Sequence, residues 1–137
     1  MNRLKKIVVV DDDLKVTTLV EKALSQKGFQ VFTAAEGKKA LELVETEKPD
    51  ILITDILQPG HDGINLCNLI KRDDSLSHIK VIVISGVYKE GNFKLLSSCS
   101  PDGFIEKPID IKSLSDMIME KIHRVDENAG WTGADEP

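Results

Sequence analysis

The sequence has few cysteines, no long apolar run and little charge imbalance outside its last residues. Its two cysteines, Cys67 and Cys99, lie far apart and form no CxxC pair. This argues against a disulfide framework or a zinc site and fits a reducing cytosol. No apolar run reaches the length of about 18 residues that a transmembrane helix needs. The apolar run before Asp11 is also too short for the hydrophobic region of a signal peptide.

The net charge of −5 gives no support to a nucleic-acid partner. Residues 126–137 contain four acidic residues and no lysine or arginine, so they contribute −4 of that total. The preceding residues are therefore near neutral, which leaves no electrostatic reason to expect nucleic-acid binding. A chain of 137 residues fits one domain. We predict this domain over residues 1–124, followed at 125–137 by an acidic flexible tail or the start of a linker.

Apolar runs alternate with helical patterns along the whole chain. Strands are predicted at 7–10, 29–34, 50–55, 80–85 and 103–108, and helices at 14–26, 38–47, 64–72, about 90–98 and 110–123. Asp13 and Asp110 are predicted to cap the helices that follow them. The alternation predicts an α/β fold, a doubly wound (βα)5 three-layer sandwich whose flavodoxin-like parallel sheet has the order 2-1-3-4-5.

Chemically active side chains stand where the predicted strands end. These residues are Asp11, Asp12 and Asp13 after the first strand, Asp55 at the third, Ser85 at the fourth and Lys107 at the fifth. Ligand sites of open α/β sheets lie at the carboxyl ends of the strands. Strands 1 and 3 are neighbours, about 5 Å apart, in the order 2-1-3-4-5. We therefore expect the carboxylates to converge in one pocket.

Such a cluster of carboxylates needs compensating positive charge. Oxygen ligands with few protein donors suit Mg²⁺. Asp55 then has two possible roles, as a third metal ligand or as a nucleophile that attacks phosphorus. The metal and Lys107 would neutralise the oxygens of a transferring phosphoryl group, and Ser85 could donate a hydrogen bond to one of them. Each residue alone is more often an N-cap, a turn residue or a solvated lysine, so the combination carries the prediction.

Four stretches in order, IVVVDDD, DILITDILQPGHDG, VIVISG and GFIEKP, resemble the receiver domain of bacterial two-component response regulators, the chemotaxis-response-regulator-like domain. The resemblance extends from about Lys5 to Arg124. It implies that Asp55 is the phosphoacceptor and that Asp11 and Asp12 are the acidic pair that holds Mg²⁺, Asp12 directly and Asp11 mainly through water. Asp55 itself and the backbone carbonyl of Leu57 would complete the protein ligands.

The resemblance also implies the residues that read the modified state. Lys107 matches the lysine that contacts the phosphoryl group, and Pro108 follows it through what is usually a cis peptide bond. Ser85 matches the switch hydroxyl, and Phe104 matches the aromatic residue that turns inward on activation.

The function that the resemblance implies is a cytoplasmic signalling switch of a two-component phosphorelay, not an enzyme with a separate substrate. Phosphoryl transfer, dependent on Mg²⁺, would run from a histidine kinase or phosphotransfer protein to Asp55. The domain would catalyse only its own phosphorylation and dephosphorylation. A downstream protein or effector domain would read the face formed by the fourth helix, fifth strand and fifth helix. Neither direct nucleic-acid binding nor membrane insertion is expected.

Two other readings remain open from the sequence. One is a pseudo-receiver, a binding module that is never phosphorylated. The other is a haloacid-dehalogenase-like phosphatase, which VVVDDD and VIVIS would fit. The phosphatase reading leaves Asp55 without a role, and GFIEKPID does not supply the further acidic pair that it needs. A flavin protein shares the expected fold, but the acids would repel the phosphate of its cofactor.

Overall fold

A computed structural model describes residues 5–55, 62–85 and 100–128 of the chain. Its strands are β1 (Lys6–Val10), β2 (Gln30–Ala34), β3 (Ile51–Asp55), β4 (Lys80–Ser85) and β5 (Gly103–Glu106). Its helices are α1 (Leu14–Gln26), α2 (Gly37–Glu47), α3 (Asp62–Arg72) and α4 (Ile111–Asn128). The helix α4 is the fifth predicted helix and continues past the predicted end at residue 123. The predicted fourth helix, at about 90–98, lies outside the described residues.

The five strands form one parallel sheet of order β2-β1-β3-β4-β5, so the predicted fold class is confirmed. The apolar runs of β1, β3 and β4 form strands because β-branched side chains suit a pleated surface that is covered on both faces. In the register, Val10 lies opposite Thr54, and Asp55 lies opposite Ile84. The carboxyl ends of β1, β3 and β4 therefore meet at one edge of the sheet.

Helices cover both faces of the sheet and give the three layers. Alternate strand residues face opposite sides, so Val8 packs with one helical layer and Ile7 with the other. The first layer is α2 and α3, with Ala40, Val44, Leu66, Cys67 and Ile70 in its core; the second is α1 and α4, with Val20, Leu24, Leu114, Ile118 and Ile122. Full burial of each large aliphatic side chain contributes about 1.5–3 kcal/mol, so the two cores hold the strand ends in place.

Both predicted aspartate caps are present. Asp13 accepts a hydrogen bond from the backbone N–H of Lys15 (2.9 Å), directly before α1. Asp110 accepts one from the backbone N–H of Lys112 (3.1 Å) and another from the hydroxyl of Ser113 (2.9 Å), directly before α4. Each cap satisfies a backbone donor that the helix itself leaves unpaired. This capping role distinguishes Asp13 from the two acids that precede it.

Over the parts of the chain that the structure describes, none of the helices combines the length and the apolar character needed to span a bilayer.

Candidate functional site

Three aspartates meet at the carboxyl edge of the sheet. Asp11 directly follows β1, and Asp55 is the last residue of the neighbouring strand β3. One carboxylate oxygen from each of Asp11, Asp12 and Asp55 lies within 4.8 Å of the others. We call these three residues the acidic pocket. The expected convergence is therefore present, and it follows from strand order alone because neighbouring parallel strands end side by side.

The turn after β1 fixes the orientation of Asp11. Its backbone N–H donates to the carbonyl of Ala34 on β2 (3.1 Å), and its Oδ1 accepts from the backbone N–H of Asp13 (2.8 Å). Asp11 is only 1% exposed and Asp55 is 6% exposed, whereas Asp12 is exposed to solvent. The pocket thus has two buried carboxylates at its floor and one at its mouth.

Lys107 is the cation of the pocket. Its Nζ lies 2.7 Å from Oδ2 of Asp11 and donates a hydrogen bond to Oδ2 of Asp55 (2.8 Å). Its backbone N–H donates to the carbonyl of Ser85 at the end of β4 (2.7 Å), and the peptide bond to Pro108 is cis, as predicted. The sequence predicted a contact of Lys107 with a phosphoryl group but not its direct pairing with two carboxylates.

Burial and pairing shift the proton affinities in this pocket. Burial raises the pKa of the Asp11 carboxyl above its ordinary value, although the nearby ammonium of Lys107 and the hydrogen bond from the backbone N–H of Asp13 oppose that change. For Lys107, burial alone would lower the pKa and is the largest single influence. The ion pairs of Lys107 with Asp11 and Asp55 together outweigh the effect of burial and raise the pKa of Lys107, so the ammonium form is stabilised.

The donor set of the acidic pocket suits a hard divalent cation. It consists of carboxylate oxygens alone, and with Lys107 the four side chains carry a formal charge of −2. Oδ2 of Asp11 is buried and, among the described residues, accepts no hydrogen bond of good geometry despite the nearby ammonium. A cation would satisfy that oxygen, and the exposed carboxylate of Asp12 leaves a path from solvent. The residues therefore fit a metal of the Mg²⁺ type.

Ser85 and Phe104 lie near this edge, and their predicted switching roles stay predictions. Ser85 ends β4, is 1% exposed, and lies opposite Glu106 in the ladder. Phe104 lies opposite Val83 and is a partly buried side chain packed against the core on the α2–α3 side. The structure thus brings both residues to the strands that flank the pocket. The predicted ligand Leu57 lies outside the described residues.

Comparison with known proteins gives one consistent family. The sequence model of the response regulator receiver domain matches residues 7–119. Among curated proteins, the chain is 29% identical over 120 residues to the alkaline phosphatase synthesis transcriptional regulatory protein PhoP of Bacillus subtilis, covering 88% of this chain and 49% of that protein. It is 30% identical over 125 residues to the probable transcriptional regulator ycf27 of Guillardia theta, covering 91% and 48%. The chain thus spans about half the length of the curated relatives it matches.

Solved structures give the same fold. The receiver domain of a signal transduction histidine kinase from Syntrophus aciditrophicus superposes with a TM-score of 0.83 at 26% identity, covering 88% of this chain and 92% of the other. A CheY-like receiver domain protein from Methanospirillum hungatei superposes with a TM-score of 0.85 at 25% identity, covering 92% and 99%. Structural likeness and sequence likeness therefore each extend over about nine tenths of the chain.

Proposed function

The chain belongs to the response regulator receiver domain family, and from this premise we propose that it is a phosphorylation switch whose phosphoacceptor is Asp55. The phosphoryl donor is the phosphohistidine of a histidine kinase or of a phosphotransfer protein. Receiver domains are signalling switches, and this one would act on no separate substrate, since it catalyses only its own phosphorylation and dephosphorylation.

One observation supports this proposal more strongly than any other. The carboxylate of Asp55 ends the central strand β3 beside two further aspartates and within 2.8 Å of Lys107. A nucleophile needs neighbours that stabilise the charge of the group it attacks, and an ammonium at that distance provides one of them. In the sheet order β3 lies between β1 and β4, so Asp55 ends its strand beside the carboxyl ends of both neighbours.

Asp11, Asp12 and Asp55, together with the backbone carbonyl of Leu57, would hold Mg²⁺. The ion supplies charge neutralisation for the oxygens of the transferring phosphoryl group. Leu57 enters this ligand set from the family resemblance, because it lies outside the described residues. The carboxylate-only donor set and the buried Oδ2 of Asp11 support the ion.

The chemical step is a displacement at phosphorus. A carboxylate oxygen of Asp55 forms the new O–P bond while the P–N bond of the phosphohistidine breaks, and its electron pair returns to the imidazole nitrogen. The product is an acyl phosphate. Lys107 pairs with the phosphoryl oxygens in place of the aspartates, which it contacts at 2.7 and 2.8 Å in this structure. Hydrolysis of the acyl phosphate by water resets the switch.

The signal then passes along the strands beside the pocket. The added phosphoryl brings about −1 to −2 charge to Asp55. Ser85 moves its hydroxyl toward that group and makes room for Phe104 to turn inward. The burial of Ser85 at the end of β4 and the partial burial of Phe104 on β5 support this coupling. The face formed by the fourth predicted helix, β5 and α4 would then change its affinity for a downstream protein or effector domain.

The proposal also covers the cellular location of this switch and the kinds of molecule that it contacts. We place it in the cytosol, where its donor and its output are proteins and where it contacts neither DNA nor membrane directly. The relatives named as transcriptional regulators are about twice as long as the matched segment, so their activity is not carried over to this chain.

Phosphoryl uptake tests the proposal directly. We expect the intact protein to gain one phosphoryl group from acetyl phosphate with Mg²⁺, as measured by mass spectrometry, and Asp55→Asn to gain none. Beryllofluoride, a phosphoryl mimic, should bind with Mg²⁺ and shift the spectra of Ser85 and Phe104. Uptake retained in Asp55→Asn would refute Asp55 as the acceptor, whereas a wild type that takes up no phosphoryl and binds no beryllofluoride would favour the pseudo-receiver. Turnover of a generic phosphate monoester would favour the phosphatase.

A further inference from the structure

We propose that Asp102, held by Lys71, is a positioning residue that fixes the register of β5 and thereby the reach of Lys107 into the acidic pocket. Its effect on phosphoryl transfer rests on the proposed function, whereas its effect on β5 does not. Asp102 and Lys71 lie at the amino edge of the sheet, opposite the pocket, and neither belongs to the predicted site.

Asp102 closes a ring of hydrogen bonds with one residue of β4. Its backbone N–H donates to the carbonyl of Val81 (2.8 Å), and its Oδ2 accepts from the backbone N–H of the same residue (2.8 Å). The ammonium of Lys71 donates to that Oδ2 as well. Because both polar groups of Val81 are bonded to a single residue, β5 can pair with β4 in only one register without leaving a donor unsatisfied.

This lock matters because β5 is a short edge strand. It has four residues and pairs with β4 alone, in a ladder from Ile82–Gly103 to Ser85–Glu106. Beyond the ladder, Asp102 anchors its start and Lys107 its end. From that end the Lys107 side chain must reach past β4 to Asp55 on β3. A shift of one residue is about 3.3 Å along the strand and would carry the ammonium out of contact with both carboxylates.

Lys71 gives the lock a second attachment to the fold. It lies in the last turn of α3, whose core face packs against the sheet through Leu66, Cys67 and Ile70. The side chains of Lys71 and Asp102 are 24% and 22% exposed, so the pair is partly shielded from solvent. The start of β5 is therefore bound both to its neighbouring strand and to a helix that follows β3 in the chain.

The chain contains its own matched control. Asp50 makes the same ring between β1 and the start of β3, because its N–H donates to the carbonyl of Lys6 (2.8 Å) and its Oδ2 accepts from the N–H of Lys6 (2.9 Å). The Lys6 ammonium also pairs with Glu47 at 3.2 Å, with side chains 23% and 32% exposed. The ring joins β1 to the start of β3, whereas the Lys6–Glu47 pair joins β1 to α2. Both β1 and β3 are central strands held by ladders on both sides. Loss of the Asp50 ring or of the Lys6–Glu47 pair should lower stability but leave the registers of the β1–β3 and β4–β5 ladders in place.

Hydrogen exchange followed by NMR tests the effect on β5. The readout is the exchange rate of the Lys107 amide divided by the exchange rate of the Ile53 amide, which lies in the core and reports global opening. We expect the ratio to rise about tenfold in Asp102→Ala, the result of leaving the Val81 N–H unsatisfied, and less in Lys71→Met. Lys71→Arg should restore it, and Asp50→Ala and Lys6→Met should leave it unchanged. If Asp102→Ala does not fold, the comparison of the exchange ratio between Lys71→Met and Lys6→Met decides on its own.

The same variants test the effect on chemistry. We expect the initial rate of phosphoryl uptake from acetyl phosphate to fall by about threefold or more in Asp102→Ala and Lys71→Met, since small misplacements of a catalytic group cost rate. Unchanged Lys107 exchange, equal rises in the controls, or full uptake despite faster exchange would each overturn the inference. Absence of uptake in the wild type would count against the proposed function alone, because the exchange ratios judge β5 independently.

Discussion

Replacement of Lys107 by methionine should destabilise the protein and make its stability depend on Mg²⁺. The ammonium lies 2.7 Å from Oδ2 of Asp11 and 2.8 Å from Oδ2 of Asp55. Both aspartates are almost fully buried, so the substitution removes the ammonium that both carboxylates face. Methionine keeps most of the length of the side chain, so the loss is mainly one of charge.

The magnitude follows from burial and distance. Each contact would be worth about 6 kcal/mol at an effective dielectric constant of 20, which is an upper bound before the cost of desolvation. Removal of one partner of a fully buried pair costs about 3–5 kcal/mol. Because the Lys107 side chain is 22% exposed, we expect a loss of about 2–3 kcal/mol, or roughly 6–9 °C in Tm for a domain of this size.

Thermal unfolding followed by circular dichroism, after treatment with a chelator and then with added Mg²⁺, measures both effects. The variant pocket carries one more negative charge, so Mg²⁺ should raise Tm further in Lys107→Met than in the wild type. Lys6→Met, which removes a partly exposed ion pair to Glu47, serves as the control and should cost less than about 1 kcal/mol. A Lys107→Met protein as stable as the wild type, or equal Mg²⁺ stabilisation of both, would refute the reasoning.

Three further predictions concern stability, each checked by urea or thermal unfolding. Ser115→Ala should stabilise by about 1 kcal/mol, because the buried hydroxyl of Ser115 has no hydrogen-bond partner in the described structure and alanine favours helix; a loss of stability would show an unseen partner. Asp110→Ala should destabilise at neutral pH, and Asp110→Asn much less. The lowered pKa of Asp110, caused first by the hydrogen bond from the Ser113 hydroxyl, means that the extra stability of the wild type over Asp110→Ala is full above the ordinary carboxyl pKa and shrinks as pH falls through the lowered pKa. A gap between wild type and Asp110→Ala that persists unchanged in acid would exclude the carboxylate as its source. Ile53→Ala should cost about 2–5 kcal/mol by opening a cavity, whereas Leu14→Ala, at a 77% exposed site, should change stability by under about 0.5 kcal/mol; similar losses would contradict the assigned burial.

The fold could be predicted because the apolar runs of the sequence indicate directly which strands are buried. The run Ile7–Val10 is apolar on both faces, and such a run fits only a strand covered on both sides. The end of α4 could not be predicted in the same way. The prediction ended this helix at residue 123, whereas the helix continues to Asn128, past Val125, which lies three residues after Ile122. No proline or glycine lies between residue 123 and Asn128 to mark an end, and hydrophobic periodicity alone does not fix where a helix stops.

The acidic pocket was also largely predictable, but its ion pairs were not. Strand order alone brings Asp11 and Asp55 together, because it fixes which strand ends are adjacent. The reach of Lys107 depends on the register of β5 and on a side-chain conformation, and neither follows from hydrophobic periodicity. The role of Asp102 was missed for a related reason. An aspartate just before a strand resembles an ordinary turn residue, and only its hydrogen bonds to Val81 distinguish it.

The two edges of the sheet use aspartates in opposite ways, and the difference lies in their partners. At the amino edge, Oδ2 of Asp50 and Oδ2 of Asp102 each accept a backbone N–H, which cannot move unless the strands separate. At the carboxyl edge, Oδ2 of Asp11 and Oδ2 of Asp55 both face one lysine ammonium at the end of a flexible side chain. An oxygen that accepts an N–H from a neighbouring strand is committed to structure, even where a lysine also binds it as Lys71 binds Asp102. An oxygen that faces a movable ammonium can exchange it for a metal or a phosphoryl group, and in Asp11 the bond to backbone is made by the other oxygen, Oδ1. The capacity for chemistry at this fold's carboxyl edge therefore rests on the partner of each carboxylate more than on the number of carboxylates.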